Sequence, residues 1–92
     1  MNVRVVLTAQ AREAAGCGET TVALGTDRTV RGLLGALADA HGGRLRSLLL
    51  KADGRPHPSV LVVVGDEHVP VDDPRALRDG DAVTVMTPIA GG

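Results

Sequence analysis

Apolar and polar positions alternate at the start of the chain, where Val3, Val5 and Leu7 interleave with Arg4, Val6 and Thr8. A period of two with one dry face predicts a strand over residues 2–9. A connection carrying Gly16 and Gly18 leads to a second short strand over 20–25. The brevity of that connection favours an antiparallel pair. The period then changes. Val30, Leu33, Leu34, Leu37 and His41 fall at i, i+3, i+4, i+7 and i+11, one face of a helix. Thr29 or Asp27 is placed to cap its start, and Gly42-Gly43 to end it. Gly32 and Gly35 inside it each cost about 1 kcal/mol of helix propensity, so packing must hold this helix in place.

Leu45, Leu48 and Leu49 are spaced for a short helical turn before a loop rich in Gly and Pro. "SVLVVVG" (59–65) is a nearly continuous apolar run. It is expected to be a strand covered on both faces or near the sheet centre. "GDEHVPV" reads as a turn and a short edge strand, since Pro70 removes a ladder donor that only an edge can spare. An Asp79-Gly80 turn then introduces a last strand over 81–86. The order β-β-α-β-β-β has one main helix, which can cover only one side of a mixed sheet. The fold class is α+β, with a domain over 1–86 and a flexible tail over 87–92.

Composition narrows the chemistry. Ninety-two residues make one domain, and Phe, Tyr and Trp are all absent. Valine, leucine, isoleucine, alanine and methionine must therefore build the core, and no aromatic platform exists for stacking nucleic-acid bases. The net charge of -1 gives no basic footprint for nucleic acid or a membrane surface. Residues 1–58 carry eight Arg/Lys and five Asp/Glu, whereas 59–92 carry two and six. These late acids read either as turn residues or as a rim that steers a basic partner. No signal peptide or membrane span is recognisable, so a cytoplasmic location is the default expectation.

An active site of the chain's own should show as converging nucleophile, acid–base and electrophilic groups. The inventory is thin. His41, His57 and His68 lack ligand spacing with Cys or carboxylates, and no metal is expected. Cys17 is a single thiol without a neighbouring base, read as structural or incidental. What remains is the ending "TPIAGG". With twelve glycines in the chain, a Gly-Gly end arises by chance about once in 60. Its position adds weight. Pro88 cannot continue the ladder, and 87–92 extended would reach about 20 Å. Such a probe has no side chains at its tip. It suits a narrow channel in another protein, where a Gly92 carboxylate could be converted to an acyl-adenylate. Attack by a sulfide or persulfide would displace AMP and leave a thiocarboxylate.

The strand "NVRVVLTAQARE", the helix "TVRGLLGALA", the turn-strand "LRDGDAVTV" and the end "PIAGG" together resemble the ThiS/MoaD/CysO family of ubiquitin-like sulfur carriers. The similarity is weakest around 42–58. It implies a β-grasp fold of four to five strands, with the first and last side by side at the sheet centre. It also implies a co-substrate rather than an enzyme. Gly92 would be adenylated and thiocarboxylated by an E1-like partner of the MoeB/MoeZ/ThiF type, using ATP and Mg²⁺, and would then serve a sulfur-accepting synthase. Gly91 and Gly92 would carry the chemistry, Pro88, Ile89 and Ala90 would position the tail, and Leu7, His68 and Met86 would form a docking patch beside it. For His68, a plain exposed edge residue is the rival reading. Molybdopterin synthase small subunits commonly show aromatic residues and a Pro-Pro pair before the tail. The stretch "VMTPIAGG" has neither, and leans toward carriers of the cysteine-biosynthesis type or relatives recruited to sulfur insertion in other metabolites. The alternatives are a molybdopterin synthase small subunit, a protein modifier or a ubiquitin-like binding module.

Overall fold

The computed structural model describes residues 1–87. Five strands and three helices follow one another as β1 (Asn2–Leu7), α1 (Ala9–Ala15), β2 (Glu19–Ala23), α2 (Val30–His41), α3 (Gly43–Leu49), β3 (Leu61–Val64), β4 (Glu67–Val69) and β5 (Ala82–Met86). The sheet order is β2-β1-β5-β3-β4. Strand β1 pairs antiparallel with β2 and parallel with β5, so the first and last strands lie together in the middle. The β-grasp arrangement implied by the resemblance is therefore present.

The helices are held on one face. From α2, Val30, Leu33, Leu34 and Leu37 are fully buried, and Leu45 and Leu49 of α3 join them. The sheet supplies Val3, Val5, Leu7, Val62, Val83 and Val85. Burying each such side chain contributes roughly 1.5–3 kcal/mol, and branched aliphatics fill this core without one aromatic ring. His41 closes α2 as its last residue but is exposed, so the buried stripe takes Ala38 instead. The N-cap is Thr29, whose Oγ1 accepts from the Gly32 N–H at 3.2 Å. Asp27 serves behind it: its Oδ1 accepts from the Thr29 hydroxyl at 2.6 Å and from the Thr29 N–H at 3.1 Å.

Two expectations need revision. The connection after β1 contains a complete short helix over 9–15, and the single turn expected around Leu45–Leu49 is a helix over 43–49. More consequentially, β3 is not covered on both faces. Val60 and Val62 are buried, but Leu61 is 47% exposed and Val63 and Val64 are half-buried. Strand β3 lies one place from the sheet edge, and the buried side chains of all three helices join one core cluster with Val62 on its other face. The run is continuously apolar because the open face of the sheet is itself apolar at this point.

Candidate functional site

The parallel pairing of β1 with β5 brings both strands to an end on the same side of the sheet. Val85 lies opposite Leu7. The Thr8 N–H and hydroxyl both donate to the Val85 carbonyl, at 3.3 and 3.4 Å. The chain then turns into α1 through Ala9, whose φ of 51° lies in the left-handed region. Thr8 occupies the N-cap position of α1, yet its side chain makes no capping bond. That role falls to Thr87, whose Oγ1 accepts from the buried Ala11 N–H at 3.2 Å. Thr87 is only 8% exposed and is the one buried polar residue among those described. Counted with the tail from sequence, it is instead a fixed root. Pro88, Ile89, Ala90, Gly91 and Gly92, the expected positioning and chemical residues, lie outside the described residues.

The patch implied by the resemblance divides. Leu7 is 2% exposed and packs in the core with Val3 and Val5, so its side chain offers nothing to a partner's surface. The alternation that made Val3, Val5 and Leu7 one dry face already carried this result. His68 and Met86 do share a surface. Met86 stands opposite Leu61, and His68 opposite Val63, which in turn faces Thr84. Val6 follows in the same row, opposite Thr84. Side chains of directly paired residues lie on one face. The open face thus carries Leu61, Met86, Val63, Val6 and His68, ending at the tail root. Val6, not Leu7, is the β1 residue on that face. Its partner on β5, Thr84, is 78 positions away in the chain, so nothing local marked it.

The late acids behave as turn residues. Asp79 Oδ1 accepts from the Asn2 N–H at 2.8 Å, which ties the turn before β5 to the start of β1. Asp81 accepts from the Arg78 N–H, Asp73 from the Arg75 N–H, and Glu67 pairs with the Arg75 guanidinium at 3.0 Å. Two acids, Asp27 and Asp53, have displaced titration. Hydrogen bonds from Thr29 hold Asp27 below its ordinary value of 3.8, and the Arg55 N–H does the same for Asp53. Neither is near the tail root. Cys17 is half-buried against the core edge, and the His57 ring nitrogen Nδ1 meets the Ser59 hydroxyl at 2.8 Å. Among the described residues, no three His, Cys, Asp or Glu side chains cluster as metal ligands. Among the described residues, no helix is long and apolar enough to cross a membrane.

Fold and site together define a small ubiquitin-like β-grasp protein with an apolar sheet face beside its C-terminal root. The sequence profile of the ThiS family matches residues 5–92. The molybdopterin synthase sulfur carrier subunit of Chlamydomonas reinhardtii is 32% identical, over the full length of both chains. The structure superposes on SAMP1 from Haloferax volcanii with a TM-score of 0.85 and 28% identity, again covering both chains completely. It also resembles a chain of the BexX/CysO complex of Amycolatopsis orientalis, with a TM-score of 0.68 and 28% identity over 98% of this chain and 99% of that one. The chain belongs to the ThiS family and is a ubiquitin-like sulfur carrier of the ThiS/MoaD type.

Proposed function

We propose that the chain carries sulfur as a thiocarboxylate on Gly92 and acts as a protein co-substrate. The observation that carries this reading is that the ThiS match runs through Gly91 and Gly92. In the first step a Gly92 carboxylate oxygen attacks the α-phosphorus of ATP on an E1-like partner. Pyrophosphate leaves and an acyl-adenylate forms. Hydrosulfide then attacks the acyl carbon, AMP departs, and the thiocarboxylate remains. The sulfur is finally passed to an accepting synthase in cysteine or sulfur-metabolite biosynthesis. Glycine at the last two positions leaves the acyl carbon unhindered. Mg²⁺ and ATP belong to the partner's site, and the carrier supplies the reacting end, a fixed root at Thr87 and an apolar face for docking. The cytoplasm, where such enzymes and ATP meet, is the proposed location.

A second reading, the small subunit of molybdopterin synthase, is favoured by the identity to the Chlamydomonas subunit. The test of the first is intact-protein mass after incubation with a matched activating enzyme, ATP and sulfide. The expected result is a gain equal to one oxygen replaced by sulfur, located on Gly92. No gain with an enzyme shown to be active and matched would overturn it. Copurification as a stable heteromer with a larger subunit would favour the second.

A further inference from the structure

A cleft of about 580 Å³ opens at the β4 edge of the sheet. Its apolar surface comes from Val60, Leu61 and Val71 and from three prolines, Pro56, Pro58 and Pro70. Three cationic side chains stand around it: Arg31 from the first turn of α2, and Lys51 and Arg55 from the connection before β3. Only Asp72 among the lining residues is acidic. Among the described residues, Arg31 and Lys51 have no ion-pair partner within 4.0 Å, and Arg55 meets Asp53 only at 3.8 Å across an exposed gap. Such a pair contributes little. Three cations contributed by two separate segments therefore stand around an apolar floor, with Asp27 in Coulombic reach of Arg31 and Asp53 in reach of Lys51 and Arg55.

We propose that this cleft docks an acidic segment of a protein partner, anchored by one aliphatic side chain and held by carboxylates on Arg31, Lys51 and Arg55. The proposal concerns a second contact surface and does not depend on the chemistry of Gly92. Charge complementarity selects the sign of the partner. The prolines shape the rest of it. They offer no backbone donor, and Pro70 follows directly after β4, so the edge is poorly suited to receive an added strand. Recognition therefore rests on side chains. Outside the cleft, Asp66 in the turn before β4 repels the same segment and limits how far it extends, whereas Glu67 at the start of β4 is paired with Arg75. Leu61 and His68 belong both to the cleft and to the open face carrying Met86, so a partner seated beside the tail root reaches the cleft without a gap.

The test is a titration of the full-length ¹⁵N-labelled chain with a short blocked peptide rich in Glu and Asp around a single Leu. Saturable amide shifts are expected at Lys51, Arg55, Leu61 and His68. Binding should weaken about tenfold in the Lys51→Glu/Arg55→Glu variant, the combined effect of removing and reversing two exposed pairings. It should also weaken in Leu61→Ala, which alters no charge. All three positions are exposed, so both variants should fold, and unchanged spectra away from the cleft verify this. Deleting Gly91-Gly92 should leave peptide binding intact, which separates this proposal from the carrier chemistry. Equal binding of a matched Lys-rich peptide, full competition by inorganic phosphate, or the absence of saturable shifts at about 2 mM peptide would overturn it.

Discussion

The Thr87 hydroxyl oxygen accepts a hydrogen bond from the Ala11 N–H, 3.2 Å away and 76 positions earlier in the chain. One residue at the end of the domain thereby caps a helix to which it does not belong. Replacing it with Val keeps the shape but leaves the buried Ala11 N–H without its partner. We expect Thr87→Val to lose about 1–2 kcal/mol of stability, read by urea unfolding, with faster hydrogen exchange at Ala11. Thr87→Ser, which retains the oxygen, should recover most of it. Equal stability of the Val and Ser variants would show that the cap contributes nothing.

The two glycines inside α2 should respond in opposite ways. A Cβ on Gly32 would lie 2.4 Å from the Asp27 carbonyl oxygen, because the Asp27–Thr29 cap folds back over this turn. A Cβ on Gly35 would meet nothing within 4 Å. Gly35→Ala should raise stability by about 0.5–1 kcal/mol. Gly32→Ala should lower it, since backbone must move to admit the methyl. Thermal melts of the two variants side by side test the contrast.

Neighbouring residues on β3 divide between core and surface. Val62 is fully buried, whereas Leu61 is 47% exposed. We expect Val62→Ala to cost about 2 kcal/mol or more, and Leu61→Ala to stay within about 0.5 kcal/mol. Comparable losses in the two variants would contradict an open sheet face.

Acid should weaken the start of α2. Hydrogen bonds from Thr29 hold Asp27 below its ordinary 3.8, so the folded state favours the carboxylate. The contribution is complete above that unfolded value and is lost as pH falls through the lower folded one. In Asp27→Asn this part of the acid dependence should vanish. Comparing stability at neutral pH with stability below pH 3.8 in both proteins is the measurement. An unchanged acid slope would remove Asp27 from the account.

Elongating the chain should stop sulfur loading without disturbing the fold. One bulky residue added after Gly92 would crowd the reacting carbon and displace the carboxylate. Loss of the thiocarboxylate mass gain is expected, with unfolding curves unchanged. Loading of the extended chain at the native rate would refute a terminal carrier.

Much of this protein follows from local pattern. The alternation of Val3, Val5 and Leu7 determined a one-sided strand, and the spacing of Val30, Leu33, Leu34 and Leu37 a one-sided helix, because side-chain direction repeats with the backbone. Thr29 or Asp27 and Gly42-Gly43 marked the helix ends, and "DGD" the turn before the last strand, through short-range hydrogen bonding. The ending in two glycines supplied the chemical reading. Tertiary structure alone decided the remainder. Pairing β1 with β5 brought Val6 to Thr84 and placed Thr87 on Ala11, and the one-sided packing of the helices left Leu61, Val63 and Met86 open. No local period encodes those relations. They arise when strands distant in sequence share a ladder, and its register decides which side chains become neighbours.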